Sequence, residues 1–91
     1  EQIVLHLLKI DLGVDPDSER HWRSEVRAFR RSLARRITPT IERRIRPTLP
    51  QVIDQALADL TEDAIVEPGS APASTYNWDD VTSEGRFPPF G

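Results

Sequence analysis

Cysteine and methionine are both absent from the 91 residues. No disulfide scaffold, thiolate nucleophile or Cys-type zinc or iron–sulfur site can therefore be built. Glycine occurs only at 13, 69, 85 and 91, spacings that exclude a phosphate-cradling loop of the P-loop or dinucleotide type. Of the two histidines, His6 and His21, His6 has no His or Cys three or four residues on, so a metal site is not expected. None of the six serines lies in a G-x-S-x-G elbow or beside a histidine. No catalytic residue, cofactor, metal or small-molecule ligand is implied, and a non-enzymatic protein is the expectation. Long apolar runs are missing too. The opening Ile3-Val4-Leu5 run is broken by His6 and Lys9 and ended by Asp11, far short of the ~20 residues of a membrane span and unlike a signal peptide. A cytoplasmic protein without a membrane partner is the expectation.

What remains is 37% hydrophobic and 30% charged, the composition of one small globular domain over 1–91. A chain of this length buries about 60–65% of its unfolded surface, so its core is thin and its stability nearer ~5 than ~15 kcal/mol. It runs from Glu1-Gln2 straight into apolar residues without an initiator Met, and its first helix is expected to begin upstream of Glu1.

The net charge of −3 conceals a strong segregation. Residues 1–19 carry −4, residues 20–46 carry ten arginines against Glu25 and Glu42 for +8, and residues 47–91 carry −7. Such a block is either an anion-binding face or the basic half of ion pairs. The computed pI near 5.3, the single lysine and the lack of any helix-turn-helix, RNP or zinc-finger pattern speak against nucleic acid. Arginine also suits bidentate pairing with carboxylates, and eight acids lie in 47–91. Pairing within the chain or between subunits is the preferred reading, a nucleic-acid-binding helix the alternative.

Helix signals recur along the chain. Gly13 suits the end of a first helix, and Asp15-Pro16-Asp17-Ser18-Glu19 reads as a helix start. Trp22, Val26, Phe29, Leu33 and Ile37 then recur at spacings of 4, 3, 4 and 4, an amphipathic stripe assigned to the core. Arg20, Arg23, Arg27, Arg30, Arg31 and Arg35 populate the remaining faces as the candidate interaction or anion face. Thr38-Pro39 ends this helix and caps the next. Ile41, Ile45, Leu49, Val52, Ala56, Leu57 and Leu60 continue as one apolar stripe to about Ala64. Pro47 and Pro50 should restart it near Thr48, another candidate cap, since a proline inside a helix costs roughly 3 kcal/mol. Beyond the linker-like 68–75, the tail carries Tyr76, Trp78, Phe87 and Phe90. Asp79 to Glu84 should form at most a helical turn, with the aromatics strapped over the helices. Trp78, Phe87 and Phe90 are alternatively a docking surface. Asp79-Asp80 is read as a helix cap rather than a catalytic pair.

The reading is an all-α bundle of three to four helices, about 1–10, 18–36, 39–46 and 48–64, with antiparallel neighbours, short loops and an irregular aromatic and proline-containing tail.

An ordered set of pieces carries a family resemblance: His6-Leu7-Leu8-Lys9; Trp22, Glu25 and Arg27 to Arg30; Thr38-Pro39-Thr40-Ile41; Trp78-Asp79-Asp80-Val81; and Phe87-Pro88. Together they resemble the bacterial domain of unknown function family 29, common in cyanobacteria. That family usually reads Ser-Pro-Ser-Leu where this chain has Thr-Pro-Thr-Ile, a swap that keeps cap and apolar contact. The resemblance implies an all-helical fold and no particular activity. It also implies a Glu-rich N-terminal segment, not included in these 91 residues, as a candidate partner for the arginines. The working expectation is a protein-interaction or assembly module. A homodimer is a candidate because the apolar helix surface is large for one chain. The alternative is a nucleic-acid-associated regulator using helix 20–36.

Overall fold

The computed structural model describes residues 2–72 and 76–88. Five α-helices follow one another, α1 Gln2–Asp11, α2 Glu19–Arg36, α3 Pro39–Ile45, α4 Leu49–Glu62 and α5 Trp78–Thr82. No strand occurs among the described residues. Two 3₁₀ turns, Pro16–Ser18 and Arg46–Thr48, lead into α2 and α4.

The helix ends follow from local chemistry. Past α1, Gly13 sits at φ +61°, where its N–H donates to Ile10 and that of Val14 to Lys9. These are the paired bonds of a left-handed helix end, which glycine adopts without a Cβ penalty. Asp15 accepts from the Asp17 N–H and from the Ser18 hydroxyl, but the turn it caps is the 3₁₀ segment, and α2 begins only at Glu19. Thr38 caps α3 by accepting from the Ile41 N–H at 3.2 Å, with Pro39 at the first helical position. Thr48, by contrast, caps nothing: its hydroxyl donates back to the Ile45 carbonyl. Pro47 lies in the 3₁₀ turn and Pro50 in the first turn of α4, where a missing N–H costs no helical bond.

Helix α4 ends on the same paired bonds as α1, Ala64 to Thr61 and Ile65 to Leu60. Here the left-handed residue is Ala64 at φ +58°. An alanine in that region costs roughly 1–2 kcal/mol relative to its right-handed form. Ala64→Gly is therefore expected to raise stability by about 1 kcal/mol in urea denaturation, with an unchanged slope against denaturant.

The core gathers around α1, which packs most extensively on α2, then on α4, and also touches α5. Val4, Leu7 and Leu8 of α1, Val26 of α2 and Leu60 of α4 are fully enclosed. Ile3, Leu49, Ala56, Tyr76 and Val81 complete the buried cluster, with Phe29, Leu33, Val52, Leu57, Trp78 and Phe87 packed partly against it. The tail thus lies as a strap, its Tyr76 hydroxyl donating to Asp11 at 2.7 Å across the end of α1. Phe90 lies outside the described residues.

Two apolar assignments differ from the sequence reading. Trp22 is not in the interior. It is half-buried at the last turn of α1, where the Lys9 ammonium lies 5.4 Å from its ring centroid. Nor does the stripe run unbroken through α3 and α4. Ile41 is 43% exposed, because the 3₁₀ turn resets the helical phase at Arg46–Thr48 and α3 packs substantially only on that turn.

Candidate interaction face

The arginines of 20–46 divide into two sets. Arg30 falls one turn after Val26 on the buried side of α2 and is itself buried, only 4% exposed. Its Nε donates to the Val81 carbonyl at 2.8 Å and its Nη2 to the Asp80 carbonyl at 2.9 Å. Both carbonyls belong to α5, so the guanidinium holds the chain segment that α5 carries and complements its negative end. Burial and the nearby Arg86 lower the Arg30 pKa from its usual value, with Glu84 opposing. Arginine nevertheless stays charged at any ordinary pH.

Around this cation the tail supplies an aromatic cover. The Phe87 ring centroid lies 4.7 Å from the guanidinium carbon of Arg23, 5.4 Å from that of Arg27 and 5.1 Å from that of Arg30. Spacings of 4 and 3 place these three arginines on one face of α2, and an aromatic ring attracts cations without neutralising them. Beneath lies Asp80, 5% exposed. One of its oxygens accepts from Arg86 Nη2 at 2.7 Å and the other from the Asn77 N–H at 3.1 Å. The Asn77 side chain returns a bond from the Asp80 N–H, forming the capping box that starts α5. The carboxylate thereby serves as cap and ion-pair partner at once.

The second set is open. Arg20, Arg27, Arg31, Arg35 and Arg36 of α2, with Arg43 and Arg44 of α3 and the adjoining Arg46, are all exposed. The ion pairs of this block are local: Arg23 with Glu19 at 3.3 Å and Arg46 with Glu42 at 3.8 Å. Exposed pairs one helical turn apart contribute about 0.3–0.5 kcal/mol each. Among the described residues, no arginine of 20–46 forms an ion pair with a carboxylate of 47–91. The expectation of internal neutralisation by that acidic block is therefore corrected. Asp54, Asp59, Glu62, Asp63 and Glu67 are exposed on α4 and the segment after it. They lie on the exposed side of α4, whose main packing is on α1.

Placed against the candidate residues, the structure brings Arg23, Arg27 and Arg30 together around Phe87 and leaves Arg20, Arg31 and Arg35 facing solvent. Arg30 is an internal cation rather than part of an anion-binding face. Val26 is fully buried, while Phe29 and Leu33 are partly so. Trp78 and Phe87 pack against the core instead of projecting as a free surface.

His6 meets the Phe29 ring edge-on, with centroids 5.7 Å apart, and its Nδ1 is buried with no hydrogen-bond partner among the described residues. Burial, then the Lys9 charge, lower its pKa below the usual 6.5, while Glu25 and the Gln2 backbone oppose them. The folded state consequently disfavours the proton that the unfolded chain accepts. Stability present above pH 6.5 is expected to fall as pH drops through the lowered value. Urea titrations between pH 7.5 and pH 5 should show this loss, and His6→Gln should flatten it.

Two features absent from the sequence reading complete the surface. A groove of about 470 Å³ between α1 and α4 has Leu5, Val52 and Ala56 on its floor and Gln2, Gln51 and Gln55 along its rim. Ile41 and Ile65, 43% and 40% exposed, are large apolar side chains left in solvent. Ile65 lies past the end of the periodic stripe, so no helical spacing marked it. Among the described residues, no helix is long and apolar enough to cross a membrane, and no cluster of three or more His, Asp or Glu stands ready to hold a metal.

The family model described as "Domain of unknown function DUF29" matches residues 1–85. The chain belongs to the DUF29 family. The match covers α1 to α5 and the Arg30–α5 contact; Arg86, the ion-pair partner of Asp80, lies one residue beyond it. Neither the curated proteins nor the solved structures contain a match to this DUF29 chain.

Proposed function

We propose that this DUF29 chain is a non-enzymatic protein-interaction or assembly module whose open arginine face receives an acidic protein surface. The observation that carries the reading is a row of exposed guanidiniums, from Arg20 to Arg44, that the chain's own acidic block leaves unpaired among the described residues. Exposed Ile41 lies on α3 one turn before exposed Arg44. An apolar centre rimmed by arginine is the make-up of protein interfaces, which enrich arginine and need a desolvated core. The residues that would have to carry catalysis are engaged structurally: His6 packs on Phe29 and Asp80 is a capping and ion-pairing group.

The same guanidiniums favour duplex nucleic acid as a second reading, since phosphates also take bidentate arginine contacts. The acids of α4 and the net charge of −3 oppose it. A fluorescent Glu-rich helical peptide and a short DNA duplex, each titrated with the chain at ~50 mM salt, separate the two readings. The expected result is binding of the peptide, lost in Arg31→Glu/Arg35→Glu, with the duplex weaker. Retention of the duplex alone would replace the proposal with the nucleic-acid reading, and binding of neither would remove both.

A further inference from the structure

We infer that the acidic surface received by the basic face is a second copy of this chain, with Ile41 of one copy seating in the acidic depression at the α1–α4 end of another. The inference rests on the interaction reading above and names its partner. Helix α3 is the least anchored long element of the fold, packing substantially only on the turn that follows it. It presents Ile41 with Arg44 one turn on, and carries Arg43 on another face, all three exposed. Between α1 and the C-terminal end of α4, a depression of about 290 Å³ has Leu5, Leu60 and Ile65 as its apolar lining and Asp59, Glu62 and Asp63 around them. Lys9 is the one cation on its wall.

The two surfaces match in both respects that set recognition. Each contains one of the two exposed large hydrophobic side chains of the described residues, Ile41 on the basic side and Ile65 on the acidic side. The basic side carries Arg43 and Arg44 and the acidic side Asp59, Glu62 and Asp63 with Lys9 as its one cation, an opposition of net charge that steers encounter and fixes register. Glu62 and Asp63 stand at the C-terminal end of α4, about 20 Å of helix from the turn that joins it to α3, so it is a second copy that brings the two surfaces together. Because the two surfaces differ, the contact is heterologous. It closes as a dimer where both contacts are made at once and otherwise continues as a chain of copies. The small apolar area involved places the association among weak interfaces, below about 1,200 Å².

Sedimentation velocity and light scattering on the 91-residue chain test this directly, with charge-swapped variants as the arbiter. At ~0.1 M salt the weight-average mass should rise with concentration above 10.4 kDa. At ~1 M salt, where the screening length falls from about 10 Å to about 3 Å, it should return toward the monomer. Arg43→Glu/Arg44→Glu should be monomeric, and so should Glu62→Lys/Asp63→Lys; these side chains are exposed, so circular dichroism should show both folded. Mixing the two variants restores opposite charges at every contact, and the mixture should associate. A wild-type chain that stays monomeric at low salt and high concentration, or a mixture no heavier than its components, overturns the inference. If the wild type is monomeric yet still binds the Glu-rich peptide, only the second copy is excluded as partner. If it does neither, the interaction reading falls with it.

Discussion

Replacing Arg30 by alanine should lower stability by about 3–4 kcal/mol, although an arginine on a helix surface is ordinarily dispensable. The variant leaves the carbonyls of Asp80 and Val81 without the donors that now reach them at 2.9 and 2.8 Å. Each unsatisfied buried acceptor costs about 1–3 kcal/mol, and contacts of the aliphatic stem are lost as well. For a domain of this size, 1 kcal/mol moves the melting temperature by about 4–8 °C, so a drop of roughly 15–25 °C is expected by calorimetry. Arg30→Lys should recover only part of it, because one ammonium on a flexible stem cannot reproduce the fixed Nε and Nη2 fork. Arg31→Ala, one residue on but exposed, should stay within about 0.5 kcal/mol. Equal effects at the two positions would show that Arg30 is not the internal cation described above.

Leu7→Ala should be comparably damaging, at about 3–4 kcal/mol. Leu7 is 0% exposed and lies on α1, the helix that α2, α4 and α5 all pack against. Removing its side chain opens a cavity in the buried cluster, and a core this thin has little neighbouring volume with which to refill it. Leu5→Ala on the same helix, half-buried and lining the groove, should cost clearly less. Chemical denaturation of the pair separates burial from helix propensity, since both substitutions put the same residue into α1.

The difference between the two sites explains what the sequence could tell. Thr38 with Pro39 and Gly13 after α1 were legible because a helix end depends on neighbours within about one turn. Of Asp79-Asp80, read as the cap of a short helix, Asp80 is the third residue of a capping box whose N-cap is Asn77, and Thr48, read as a cap in the same way, caps nothing. The placement of Val26 followed from helical period. Arg30 was not legible as an internal residue, even though it shares the period of Val26. Its partners are backbone carbonyls 50 and 51 residues away, and a carbonyl leaves no mark in a sequence. Summing charge over blocks suggested that the acids of 47–91 would meet the arginines of 20–46, but pairing requires side chains within about 4 Å, and α4 packs elsewhere. For Trp22, period again placed the residue on the correct side of α2. What period omits is where the covering helix stops, and α1 ends there with Lys9 as the cover. Ile41 shows the converse case, an apolar residue in phase with its own helix and out of phase with the next, because a 3₁₀ turn intervenes.

This DUF29 chain encloses Arg30 within its own fold, while Arg31, Arg35, Arg36, Arg43 and Arg44 are exposed and form no ion pair among the described residues. Residue-resolved modification with an arginine-selective dicarbonyl reagent, read by mass spectrometry on the dilute native chain, tests it most directly. Arg31, Arg35, Arg36, Arg43 and Arg44 should react early, while Arg30 should stay unmodified until the chain unfolds. Modification of Arg30 at the rate of Arg31, or protection of the exposed set in the isolated monomer, would contradict the account.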